Sequence, residues 1–220
     1  MGSNMTLKKN SSLLLIGDSI TDAGRDRSPG SHSLGDGYVS QVQNLLSIAY
    51  HDYHVLVINR GISGNTVRDL KARWQNDVLD IKPDWLSVMI GINDVWRQFD
   101  TPQPTEPHVT IDEYENTLNL LIEQASPSLK GLILMTPFFI EPNRSEPMRA
   151  MMDKYRRVMK RAARKHGAVL VDTQAAFDRV LKSYSPEHLS WDKIHPKSNG
   201  SLVLARAFLQ AIDFDFDRKR

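Results

Sequence analysis

The chain has 220 residues, 40% hydrophobic and 25% charged, the balance of a folded globular protein long enough to bury a sizeable core. Its 28 basic and 26 acidic residues are interspersed and leave a formal net charge of +2, which excludes a general nucleic-acid footprint. With no cysteine, disulfides, thiolate metal sites and cysteine nucleophiles are excluded together, and the composition suits a reducing compartment.

The opening Met1-Gly2-Ser3-Asn4-Met5-Thr6 fits a myristoylation pattern in form, but Met5 reads better as the natural start and the preceding residues as a cloning scar. Residues 1–11 are therefore expected to be a disordered extension or scar, and 12–220 a single domain. The apolar run Leu13-Leu14-Leu15-Ile16 is the first of five, followed by 55–59, 85–90, 132–136 and 168–171. Short runs of Leu, Ile and Val without polar alternation suit strands buried on both faces of a parallel sheet. Helices are expected between them near 38–49, 66–80, 111–125 and 147–166, and from 198 to 212. The most basic stretch, 156–165, falls in the fourth of these helices and reads as a solvated face. Proline-bearing loops at 98–110 and 137–147 are placed to shape a site. The tail Ile212-Asp213-Phe214-Asp215-Phe216-Asp217 alternates with the period of a half-buried strand, to pack on its own domain or on a neighbour. No apolar run approaches the ~18 residues of a membrane span or the length of a secretory leader, so a cytoplasmic protein without membrane contact is expected.

This βα repetition predicts an α/β fold, a doubly wound, flavodoxin-like five-stranded parallel sheet with helices on both faces. Functional groups then gather beyond the carboxyl ends of the strands. Asp18 and Ser19 follow the first run, Gly61 and Gly64 the second, Asn93 and Asp94 the third. Taken alone, Gly17-Asp18-Ser19 is equally an ordinary helix cap. It lacks the second glycine of G-x-S-x-G, so Ser19 is not on a nucleophile elbow, and no G-x-G-x-x-G follows the first strand to bind a dinucleotide. A serine becomes a nucleophile when a base takes its proton and a carboxylate orients the base. Asp192-Lys193-Ile194-His195, on a non-helical stretch before Pro196, offers both. Gly64 and Asn93 have the right chemistry to donate to a developing oxyanion, although each alone suits a turn.

Gly17-Asp18-Ser19, Gly64, Gly91-Ile92-Asn93-Asp94 and Asp192-Lys193-Ile194-His195, in this order, resemble the four blocks of the SGNH (GDSL-type) hydrolases. The resemblance spans about residues 12–212 and is stronger still to bacterial intracellular acetylxylan esterases, through 16–22, 61–70, 90–97 and 171–177, with no departure inside these blocks. It implies Ser19 as nucleophile, His195 as base and Asp192 as orienter. It also implies an oxyanion hole from the Ser19 and Gly64 amides and the Asn93 side chain. Asp18, Trp96 and Trp191 are assigned to substrate binding. The expected function is a cofactor-free and metal-free esterase for acetylated xylo-oligosaccharides or other acetylated sugars, assembled as a homo-oligomer. The alternatives are a longer-chain acyl esterase, thioesterase or lysophospholipase, and a non-catalytic carbohydrate-binding module.

Overall fold

The computed structural model describes residues 5–100 and 107–218. Part of the 98–110 loop, with Pro102 and Pro104, and the four residues read as a scar lie outside the described residues.

Five strands form one parallel sheet: β1 (Ser12–Gly17), β2 (Leu56–Gly61), β3 (Trp85–Met89), β4 (Gly131–Met135) and β5 (Val169–Val171), in the order β2-β1-β3-β4-β5. This is the flavodoxin-like order, in which the chain reverses its direction of travel between β1 and β3. Leu13 to Ile16 and every residue of β3 are buried, as a strand covered on both faces requires.

The expected helices form as α2 (Tyr38–Ala49), α3 (Val67–Trp74), α5 (Ile111–Ala125), α6 (Pro147–Lys165) and α9 (Ser198–Ala211). Their starts follow local chemistry. Thr66 and Asp69 close a capping box on α3, Thr110 caps α5, and Pro147 opens α6 behind Glu146, whose carboxylate accepts from the Arg149 amide. Among the described residues the chain also forms α1 (Ser19–Asp22), α4 (Ile92–Trp96), α7 (Thr173–Val180) and α8 (Pro186–Leu189), and a π-helical segment, Gln75–Leu79, continues α3 through the rest of the expected helix. Helix α2 packs on α9, which also meets α7, whereas α5 packs on α3 and α6.

Two expectations change. Residues 5–11 are not an extension: Met5 and Leu7 are fully buried in the core, and the Thr6 amide donates to the Ile212 carbonyl at 2.9 Å. Burying two large apolar side chains stabilises the segment by about 3–6 kcal/mol, enough to hold it down. The tail is not a strand. After α9 the chain turns, Phe214 packs on Tyr50 at 5.0 Å between ring centroids, and Phe216 packs edge-on against Phe214 at 4.8 Å. The period-2 pattern places the two phenylalanines on one side, where they pack on rings of the same domain.

Candidate active site

The register Gly17↔Gly61 and Gly17↔Met89 aligns the carboxyl ends of β1, β2 and β3. The segments that follow, 18–22, 62–65 and 90–94, therefore meet at one edge. They approach closely because of two glycines. A Cβ on Gly17 would lie 2.3 Å from the Met89 carbonyl oxygen, and one on Gly61 2.1 Å from the Asp22 amide nitrogen.

Ser19 is the first residue of α1 and stands on the wall of a cavity of about 1010 Å³. Asp18 does not, which corrects its assignment to substrate binding. Its side chain is 1% exposed and its Oδ1 accepts the Ile20 amide at 3.0 Å, so it is the helix cap rather than a substrate ligand. Burial pushes its carboxyl up to about 7, with the negative charge of Asp94 adding to the effect. Asp94 is itself buried, which pushes it up to about 7, while the Val67 amide holds its Oδ1 at 3.0 Å.

The imidazole comes from the other end of the chain. Ser190 and Pro196 pair as an isolated antiparallel bridge, pinching 191–195 into a tight loop. Asp192 Oδ1 accepts the amides of Ile194 at 2.9 Å and His195 at 2.7 Å, so the carboxylate orders the loop that carries it. Its Oδ2 lies 2.6 Å from His195 Nδ1. Burial works against the Asp192 charge, but the hydrogen bonds from the His195 ring and from the two amides outweigh it and hold the carboxyl below its usual range. An ionised carboxylate only accepts, so Nδ1 carries a ring proton, and the tautomer this selects presents Nε2 as the acceptor. Nε2 lies 2.9 Å from Ser19 Oγ.

The remaining donors are close by. Gly64, at φ +82°, and Asn93 line the same cavity. One N–H of the Asn93 amide donates to the Asn65 carbonyl at 2.9 Å, which fixes the rotamer and leaves the second N–H available. The Arg73 guanidinium binds these segments from behind: it donates to the carbonyls of Gly17 at 3.0 Å and Arg60 at 2.8 Å and to Asn65 Oδ1 at 2.7 Å. Neither Arg73 nor Arg97, which donates to the Gly64 carbonyl at 3.2 Å and lines the cavity with Asp100, carries a signal of its role in the sequence.

Trp96 and Trp191 both line the cavity, though differently. The Trp96 ring is 36% exposed and stands nearly perpendicular to the His195 ring, 6.2 Å away, as a wall beside the reacting groups. Trp191 is 74% exposed and forms the rim.

A serine, an imidazole and a carboxylate in hydrogen-bonding sequence, with uncharged donors on the facing loops, are the parts of an acyl-transfer site. The family model described as GDSL-like lipase/acylhydrolase matches residues 15–202, taking in all of these groups. The chain belongs to the GDSL-like lipase/acylhydrolase family. As a member of it, the chain is similar to an acetylxylan esterase of Geobacillus stearothermophilus, 54% identical over 219 residues that cover 98% of this chain and 100% of the relative. A solved structure of that esterase, Axe2, is 53% identical with a TM-score of 0.95, covering 98% of this chain and 100% of its own. Axe2 structures described as catalytic mutants replace a serine, an aspartate and a histidine by alanine. The chain is also similar to LAE5, described as an α/β hydrolase enzyme from the metagenome of Lake Arreo in Spain, 51% identical with a TM-score of 0.93, covering 96% of this chain and 99% of that one.

Proposed function

We propose that this chain is a serine esterase that removes acetyl groups from acetylated xylo-oligosaccharides through an acyl-enzyme on Ser19. The similarity to the acetylxylan esterase carries the substrate class. The observation that carries the chemistry is the series Ser19 Oγ, His195 Nε2, His195 Nδ1, Asp192 Oδ2, joined at 2.9 and 2.6 Å.

Ser19 Oγ attacks the acetyl carbonyl carbon while Nε2 takes its proton. The carbonyl oxygen becomes an oxyanion, to which the amides of Ser19 and Gly64 and the free N–H of Asn93 donate; each such donor contributes about 3 kcal/mol to the transition state. The bond to the sugar oxygen then breaks and His195 passes its proton to that oxygen. Water repeats the attack with His195 as base, acetate leaves, and the proton returns to Ser19. Asp192 stays ionised throughout, stabilising the imidazolium that forms in each half. These steps call on no metal or organic cofactor.

The cavity suits this substrate because Trp96 bounds the acyl side while the exposed Trp191 offers a sugar ring a flat apolar face. The competing reading, a lysophospholipase or thioesterase on the same fold, needs room for a long chain where Trp96 stands. In a series of p-nitrophenyl esters, kcat/KM is expected to fall by about tenfold or more from acetate to octanoate. A rise along the series would refute the short-acyl pocket. A carbohydrate-binding module would hold sugar and release no acetate.

Among the described residues no helix is long and apolar enough to cross a membrane. The same proposal includes a cytoplasmic location, supported by the cysteine-free composition, and a homo-oligomer, supported by the family resemblance and by the exposed Phe216 of the tail.

A further inference from the structure

Lys193 lies between the orienting carboxylate and the base, and its backbone is left-handed, at φ +66°. For a residue with a Cβ this conformation is unfavourable and persists only when neighbouring contacts impose it. Beside the Asp192 hydrogen bonds within the loop, two contacts do so, and both come from the segment after β4. The Ile140 amide donates to the Lys193 carbonyl at 2.8 Å, and Lys193 Nζ donates to Glu141 Oε2 at 2.6 Å.

Glu141 is itself held. Its Oε1 accepts the Asn143 amide at 2.8 Å, and its carbonyl accepts from Arg149, a fully buried residue of α6 that also donates to Asp178 at 3.0 Å. Gln174 of α7 brackets the same segment, accepting the Phe139 amide at 2.8 Å and donating to the Phe139 carbonyl at 3.1 Å. Two helices thus fix 139–141 from inside, and 139–141 fixes Lys193 from outside. The hydrogen bond to Glu141 and its negative charge raise the affinity of Lys193 for its proton.

We infer that Glu141 and Lys193 are positioning residues for the acid–base pair: their contact holds the 191–195 loop in the left-handed turn that aims His195 at Ser19. This rests on the proposed hydrolysis through Ser19. Glu141 is buried but the Lys193 ammonium is exposed, and opening such a pair from its exposed side costs little global stability, so the effect of Lys193→Ala is expected on the reaction and not on the fold. Small displacements of reacting groups cost rate steeply, as much as about 10²-fold for 1 Å.

The test compares Glu141→Ala, Lys193→Ala, the double variant and Lys193→Arg in the full chain, with p-nitrophenyl acetate as substrate. Each single alanine is expected to lower kcat by about tenfold with KM altered less than about twofold, and the double variant to lose no more than Glu141→Ala alone, because Lys193→Ala removes only the ion pair that Glu141→Ala already removes together with the Asn143 amide contact. Lys193→Arg is expected to recover most of the rate. The downfield proton resonance of the Nδ1–H between His195 and Asp192 is expected to shift or broaden in the alanine variants, while the thermal midpoint stays put. Wild-type kcat in both alanine variants, additive losses in the double variant, or losses that follow a falling melting temperature would overturn the inference. Were the parent chain to hydrolyse no acetate ester, the proposed function would fail instead.

Discussion

Ser19→Ala is expected to lower kcat for an acetate ester by about 10⁴-fold or more while leaving the fold intact. Ser19 lines the cavity and its Oγ bonds the partly exposed His195 at Nε2, so removing the hydroxyl leaves no buried partner stranded. What remains is the oxyanion donors and the binding of substrate, which alone sustain a small residual rate over water. KM is expected to move little, because the lost interaction belongs to the transition state. Circular dichroism and the melting temperature should match those of the parent, separating loss of chemistry from loss of structure.

The largest effect on stability is expected at Arg149. Its side chain is 0% exposed and its guanidinium serves Asp178 at 3.0 Å, Asp153 at 3.3 Å and the Glu141 carbonyl. Arg149→Met keeps much of the volume but strands the buried Glu141 carbonyl and removes the cation between two carboxylates. Breaking a fully buried ion pair costs about 3–5 kcal/mol, but Asp153 and Asp178 keep some access to water and Asp178 keeps Gln174 and Arg144, so about 3 kcal/mol is expected. In a domain of this size that lowers the melting temperature by roughly 6–12 °C. Adding Asp178→Asn should cost little more, since that carboxylate has already lost its buried partner. A loss below about 1 kcal/mol in urea titrations would show that the network does not hold the 139–141 segment.

The sheet was legible because its strands are buried on both faces: continuous apolar runs such as 13–16 and 85–90 have no other plausible use in a βα repeat. Helix α7 gives no periodic signal in the sequence, because eight residues make too few turns, although Asp172 caps it by accepting the Ala175 amide at 3.2 Å. Within the site, Ser19, His195 and Asp192 were legible from residue type and spacing, and the structure brings them into contact. Asp18 shows the limit of that reasoning. Adjacent residues on a strand-to-helix turn face opposite ways, and which one caps the helix and which faces the cavity is decided by the turn, not by the motif. The Glu141–Lys193 contact joins two loops 52 residues apart and leaves no pattern in the chain.

The acyl-enzyme on Ser19 is tested most directly by titrating the protein with a serine-directed phosphonate and mapping the adduct by mass spectrometry of its peptides. Hydrolysis is predicted to fall in proportion to a single adduct on the peptide containing Ser19, reaching zero at one equivalent. Full labelling of Ser19 with acetate release undiminished, or inactivation with the adduct on another residue, would contradict it.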